Sequence, residues 1–407
     1  MTALTPPGPA APEKHAPRVL TRLADTLGMQ LLAWRTTVAE PTDAGFLQGY
    51  ELEFRGRAGE RIRQTVFVET SPSTPIRAGV LVLDDEPDAT VAVWTYPHDP
   101  QLPALAELLD AERVVGVLAR LGVDAQPMAS TVVAYRPGKR AVVRLDTPQG
   151  RLYVKIVEDG KAPSIAERHA LFRASAVPVP RVLGWSRDGL VALSELPGVE
   201  AQAALARIGD PERFLDQVEF LTTLIAGIPA INTARPSLLD RVDWYVDRLR
   251  ERLPERADAV ARVGDQIMRL RRRGREYAPD PVTIHGDLHL GQLFVDRTDP
   301  AQITGVLDID TAGSGDPADD AAALYAHLVT LGVTSEQADA AYAAACFDLA
   351  ARWLARWPRH RNAGFNARAR AIAATHLLGH ALRPATGDDD AIAPRLLAWA
   401  ERLVAVG

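Results

Sequence analysis

Residues 285–310 read HGDLHLGQLFVDRTDPAQITGVLDID and hold two carboxylates whose setting suits phosphoryl transfer. Asp287 lies just before one apolar run, Leu293 to Val295, and Asp308 closes a second, Ile303 to Leu307. Between the runs Asp296, Asp299 and Pro300 supply a turn, so the spacing predicts a hairpin with Asp287 and Asp308 at one mouth. Phosphoryl transfer needs such a pair: one carboxylate orients or deprotonates the acceptor hydroxyl, and the other holds magnesium against the triphosphate. Asp296 and Asp299 read as ordinary solvated turn residues.

The string His285-Gly286-Asp287 followed by Asp308 resembles the catalytic and metal segments of the aminoglycoside phosphotransferase-like kinases, relatives of the protein kinases that act on small molecules. The longer string HGDLHLGQ is most similar to the actinobacterial maltokinases and glucosamine kinases of that family. The resemblance implies an α+β, bilobal protein-kinase-like fold: an antiparallel N-lobe sheet, a helical C-lobe and an extra N-terminal α+β cap. It implies ATP and Mg2+ as cofactors, Asp287 as the catalytic residue, and Asp308 with Gln292 as metal ligands. Gln292 departs from the wider family, which carries asparagine five positions after the aspartate. Glutamine keeps the amide oxygen on one more methylene, so it remains a ligand only if the backbone sits slightly farther away; the maltokinase-like members also carry HLGQ. His285 either braces the loop or touches substrate, and His289 and Asp310 divide between loop support and a role in the site.

A chain of 407 residues, 47% hydrophobic, can bury at least one full core. Its net charge of -6 gives no general attraction to nucleic acid or anionic membrane. The run Arg271-Arg272-Arg273 therefore reads as a solvated helix end. The single cysteine, Cys346, excludes an intrachain disulfide and any cysteine-built metal cluster. No run approaches 18 apolar residues, so the expectation is a soluble, cytoplasmic protein without membrane or nucleic-acid partners.

The elements that must position the site follow in order. The proline-rich residues 1–12 read as a disordered tail. Residues 13–122 form the cap: a helical pattern from Val19 to Trp34, short strands at 49–54, 61–68, 79–83 and 90–93, and a helix from Leu102 to Leu121. His98 and Asp99, in the proline-flanked turn of this cap, read as turn residues with an active-site reach as the alternative. Residues 123–198 form the nucleotide-binding lobe and hinge. Its first turn, Arg136-Pro137-Gly138-Lys139-Arg140, occupies the position of a phosphate-covering loop, and Lys139 or Arg140 can engage phosphate or stand as exposed hairpin residues. The resemblance places Lys155, in RLYVKI, on the phosphates, with Glu167 twelve residues on as its partner. It places adenine against the backbone of Ser194, Glu195 and Leu196.

Residues 199–407 form a mainly helical catalytic and acceptor-binding lobe. Within it GSGDPADD leads into a helix, with Asp319 and Asp320 complementing the helix dipole. Asp316 is the leading acceptor-side candidate and Asp310 the next, against a purely structural role in that turn. The function implied is transfer of the γ-phosphoryl group of ATP to a hydroxyl of a sugar or amino sugar such as glucosamine. An aminoglycoside antibiotic phosphotransferase is the enzymatic alternative, and a nucleotide-sensing pseudokinase the non-catalytic one.

Overall fold

The first helix, α1 (Ala16–Leu27), buries Leu20, Leu23 and Ala24, which share one face at helical spacing. It stops at Gly28, whose φ of +64° suits glycine. There the Gly28 and Met29 amides donate back to the carbonyls of Asp25 and Ala24, closing the last turn. Strand β1 (Gln30–Pro41) begins two residues later, so the helix expected through Trp34 ends at Leu27. The leucines at 31 and 32 extended the apolar pattern past a backbone break that only the glycine marks.

The computed structural model describes residues 16–42, 45–70, 81–86, 89–229, 234–360, 362–382 and 391–405. The expected tail at 1–12 lies outside them. The chain divides into two units, Met1–Ser164 with Leu183–Ser194, and Ile165–Val182 with Glu195–Gly407.

The first unit holds two five-stranded antiparallel sheets. In one, β1, β2 (Phe46–Arg55), β3 (Arg61–Thr70), β4 (Leu81–Glu86) and β5 (Ala89–Thr95) run in the order β1-β2-β3-β5-β4. Tyr50, Leu52 and Phe54 alternate along β2 onto one face and pack with α1. The expected helix from Leu102 to Leu121 is two short ones, α2 (Ala104–Leu109) and α3 (Val114–Arg120), because Asp110 Oδ1 accepts the Glu112 and Arg113 amides and makes a turn between them. The second sheet begins with β6 (Ala129–Arg136), β7 (Arg140–Thr147) and β8 (Gly150–Ile156). Helix α4 (Ala162–Ala174) then carries the chain into the second unit, and β9 (Val182–Trp185) with β10 (Leu190–Ser194) completes the order β6-β7-β8-β10-β9. The boundary drawn in sequence between residues 122 and 123 falls inside the first unit, while residues 165–182 and 195–198 belong to the second.

The second unit is mainly helical. It comprises β11 (Val199–Glu200), α5 (Ala201–Ala204), α6 (Pro211–Ala226), α7 (Val242–Arg252), α8 (Ala257–Arg275), β12 (Val282–Ile284), β13 (Leu293–Val295), β14 (Ile303–Val306), β15 (Gly313–Gly315), α9 (Ala318–Ser335), α10 (Ala340–Arg356), α11 (Phe365–Ala381) and α12 (Ile392–Ala405). Alanines bury a whole side of α9 and α11, letting these helices sit close together with α8, α10 and α12 around one core. Cys346 is buried in that core. The α+β class and the hairpin of β13 with β14 are as expected, with Leu293 opposite Val306.

Candidate active site

The loop between β12 and β13 takes its shape from an alternation in HGDLHLGQ. Leu288, Leu290 and Leu293 are fully buried, while Asp287, His289 and Gln292 stay partly accessible. Burying each leucine stabilises the loop by roughly 1.5–3 kcal/mol. Gly286 turns the chain with φ +83°, and a Cβ there would lie 2.6 Å from Nε of Arg235. Arg235 donates to the Thr311 carbonyl, a bond that holds it under the loop. From α9, Asp320 reaches back and accepts the His285 amide at 2.8 Å and the Gly286 amide at 2.7 Å. Asp320 is almost fully buried, and burial raises its carboxyl pKa against the opposing pull of those two amides. The dipole role read from sequence understates it: the carboxylate clamps the loop.

His285 is fully buried. Its Nε2 lies 2.8 Å from the Leu307 carbonyl, so Nε2 carries the proton and Nδ1 is left to accept the Asp287 amide at 3.4 Å. This corrects its place among the substrate-binding candidates. It cannot reach a ligand, and it ties the Asp287 loop to the strand that ends at Asp308. The Thr311 hydroxyl adds a second tie, 3.0 Å from the His285 carbonyl and 3.3 Å from that of Asp308.

Asp287 is 44% exposed, and its Oδ1 lies 3.6 Å from Nε2 of His327 on α9. A hydrogen bond from His327 is the main influence holding the Asp287 carboxyl below the usual range. Asp287 is therefore ionised at neutral pH and a weak base. His289 stacks on His327 with centroids 4.4 Å apart, and burial pushes its own pKa down to about 4. Asp287, His289 and His327 present ligand atoms all within 4.8 Å of one another. His289, however, has both ring nitrogens engaged, Nδ1 by the Gly291 amide at 3.1 Å and Nε2 by the Gln292 amide group at 3.3 Å.

Asp308 sits in the left-handed region at φ 55°, ψ 39°, which aspartate tolerates better than most residues and which marks a constrained position. The Leu307 amide donates to the Gln292 carbonyl at 2.8 Å and closes the hairpin mouth. The Gln292 amide group thereby comes within 3.4 Å of Asp308 Oδ2. Magnesium takes oxygen ligands at close quarters. A carboxylate beside an amide that can present its oxygen is a donor set that fits such an ion.

The remaining sequence candidates have varied surroundings. Asp316 is committed to its own protein: Arg368 Nε lies 2.5 Å from Oδ2 and the Ala318 amide 2.9 Å from Oδ1. That guanidinium is buried and also donates to the Tyr277 carbonyl and to Asn362 Oδ1. The carbonyl of Asp310 accepts from Arg168 at 2.6 Å. Leu196 is buried in the second unit, and a Cβ on Gly305 of β14 would strike it at 2.7 Å. Glu195 precedes it, and Ser194 ends β10 opposite Leu152. Lys155 lies on β8 of the first unit and Glu167 on α4 in the second. In the first unit Lys139 Nζ is 3.5 Å from Glu40, which Arg136 also pairs at 3.0 Å, and Arg140 opens β7. Asp99 is buried there and accepts the Tyr135 hydroxyl at 2.9 Å and the Gly138 amide at 2.8 Å, so it pins the turn before β7.

The model of the family described as the phosphotransferase enzyme family matches residues 131–357, more than half of the chain. The chain belongs to the phosphotransferase enzyme family. It is an enzyme of the kinase class, as the sequence resemblance implied. Among solved structures, this phosphotransferase is similar to a thermostable mutant of an aminoglycoside phosphotransferase determined with ADP and hygromycin B. The two share 16% identity over 72% of this chain and 97% of that one, with a TM-score of 0.49. An aminoglycoside phosphotransferase from Streptomyces rimosus shares 20% identity over 64% of this chain and 97% of its own, at TM-score 0.40. The ethanolamine kinase of Plasmodium vivax shares 10% over 67% and 81%, at 0.41. No curated protein matches the chain.

Within the phosphotransferase, the residues that sequence reasoning missed are His327, Arg235, Arg168 and Arg368. Each acts on the site region from a distant helix or loop, and nothing in its local sequence distinguishes it.

Proposed function

We propose that this phosphotransferase moves the γ-phosphoryl group of ATP to a hydroxyl of a sugar or amino sugar. The observation that carries the reading is the hairpin mouth, where an ionised, accessible Asp287 is held in register with the Asp308–Gln292 pair by His285 and Thr311. Asp287 accepts a hydrogen bond from the acceptor hydroxyl and aligns its oxygen with the γ-phosphorus. As the new oxygen–phosphorus bond forms and the bond to ADP breaks, the hydroxyl proton passes to Asp287. Its low basicity makes that transfer late, so orientation is its larger contribution. Asp308 and Gln292 would hold magnesium, which when bound neutralises charge on the phosphates. Lys155 is assigned to the inner phosphates, and the backbone of Ser194, Glu195 and Leu196 to adenine. Lys139 and Arg140 stand near the phosphate-covering turn as auxiliary cations.

The amino-sugar acceptor is supported by HGDLHLGQ and by the separate N-terminal sheet. Asp310 is the acceptor-side carboxylate, while Asp316, saturated by Arg368 and Ala318, positions the loop. The family match and the aminoglycoside phosphotransferases among similar structures support an aminoglycoside acceptor as the second reading. Magnesium-dependent ATP consumption across sugars, amino sugars and aminoglycosides tests both. Turnover of a sugar or amino sugar is expected, and turnover confined to aminoglycosides would overturn the assignment. Asp287→Asn is expected to lower kcat by about 10²–10⁴ while nucleotide affinity holds. Near-parental turnover would remove Asp287 from its role.

A further inference from the structure

The amide of Gln292 has two neighbours whose demands conflict. Asp308 Oδ2, at 3.4 Å, is a carboxylate oxygen and calls for a donor. The demand of His289 Nε2, at 3.3 Å, depends on which ring nitrogen holds the proton. The main chain answers that. His289 caps the short 3₁₀ turn Leu290–Gln292, with Nδ1 accepting the Gly291 amide at 3.1 Å. A nitrogen that accepts a backbone N–H carries no proton of its own, which also excludes the doubly protonated ring. The proton of His289 is therefore on Nε2, and Nε2 must donate.

With Gln292 Nε2 at the shared point, the amide satisfies Asp308 but sets an N–H against the N–H of His289. A half-turn about the terminal torsion exchanges nitrogen for oxygen at almost the same position. Oε1 then accepts from His289 and faces the Asp308 carboxylate, an oxygen pair that is favourable only with a cation between them. The extra methylene of glutamine is what carries the amide to both partners. This reading deepens the proposed function and rests on its assignment of Gln292 and Asp308 to the cation.

We infer that His289 is a positioning residue, whose Nε2–H fixes the Gln292 amide with its oxygen turned toward Asp308 and so preforms the cation site. It acts through Gln292, touching neither substrate nor ion. The spacing His-x-x-Gln is then one unit: the histidine caps the turn with one nitrogen and orients the ligand with the other.

The test uses the full chain and Mn2+ as the probe, with its affinity measured by electron paramagnetic resonance of the free ion in the presence of a non-hydrolysable ATP analogue. His289→Ser keeps a hydroxyl to accept the Gly291 amide but is too short to reach Gln292, so the turn persists while the donor is lost. Outer partners of metal ligands typically contribute about 10–100-fold in metal affinity. His289→Ser and Gln292→Ala are each expected to weaken Mn2+ by about ten-fold or more, and the double variant to match Gln292→Ala alone. Weakening by Gln292→Ala with unchanged affinity in His289→Ser overturns the positioning role and leaves the ligand assignment standing. Additive losses in the double variant also overturn it, because His289 would then act by another route. Unchanged affinity in Gln292→Ala defeats the ligand assignment itself and the inference with it.

Discussion

Replacing Asp320 by alanine tests whether the catalytic loop is held from α9. The carboxylate accepts two main-chain amides, at 2.8 and 2.7 Å, in a site with 3% of the residue exposed. Hydrogen bonds to a charged group contribute about 1.5–3 kcal/mol each, so their loss amounts to about 3–6 kcal/mol. Removing a buried charge gives part of this back, consistent with the raised pKa of the carboxyl. A net loss of about 3 kcal/mol is expected, which lowers the melting temperature of a unit of this size by roughly 6–12 °C. Urea denaturation followed by fluorescence and circular dichroism measures it. At a temperature where the variant is fully folded, kcat should still fall, since Asp287 is two residues from the released amide of His285. A loss below about 1 kcal/mol, or parental kcat in the folded variant, would refute the clamp.

Asp316→Asn should cost about 3 kcal/mol by leaving the buried Arg368 without its carboxylate, with little change in the acceptor KM of the folded protein. A selective rise in that KM would restore Asp316 to the acceptor side. Asp319 gives a pH signature: burial, then Asp316 and Asp320, raise its pKa from 3.8 to about 7. Because the folded value is the higher, the native state binds the extra proton between roughly pH 4 and 7. Stability is full below that window and falls as pH rises through it, by up to about 4 kcal/mol. Asp319→Asn should flatten the denaturation midpoint between pH 5 and pH 8, and an unaltered slope would exclude Asp319 as its source. Leu288→Ala should lose about 2–5 kcal/mol by opening a cavity under the loop, read from thermal unfolding.

What sequence made legible here is local. The hairpin was readable because two apolar runs and a polar turn lie within one short stretch, and Asp287 and Asp308 followed from their places at its ends. The mainly helical character of residues 199–407 was readable as well. Partner choice across the chain was not. Asp320 looked like a helix-dipole residue because its amide partners lie on a loop some thirty-five residues earlier, and Asp316 looked available because Arg368 is far away in sequence. His285 was open between two roles until burial decided it. The break at Gly28 was masked by leucines that continue the helical pattern into a strand.

The mouth of the hairpin is tied through His285 and Thr311 and between Leu307 and Gln292, while the turn end is closed separately, by the Asp296 amide on the Gln302 carbonyl at 3.0 Å. That turn closes on itself, with Asp296 Oδ1 accepting the amides of Thr298 and Asp299. Its one side-chain ion pair, Arg213 with Asp299, is exposed and contributes on the order of 0–1 kcal/mol. Doubling a loop's length costs only about 0.6 kcal/mol in closure entropy. The far end of the hairpin is therefore a natural insertion point, able to accept a peptide tag or reporter while the distance between base and cation ligand is kept by bonds the insertion never touches.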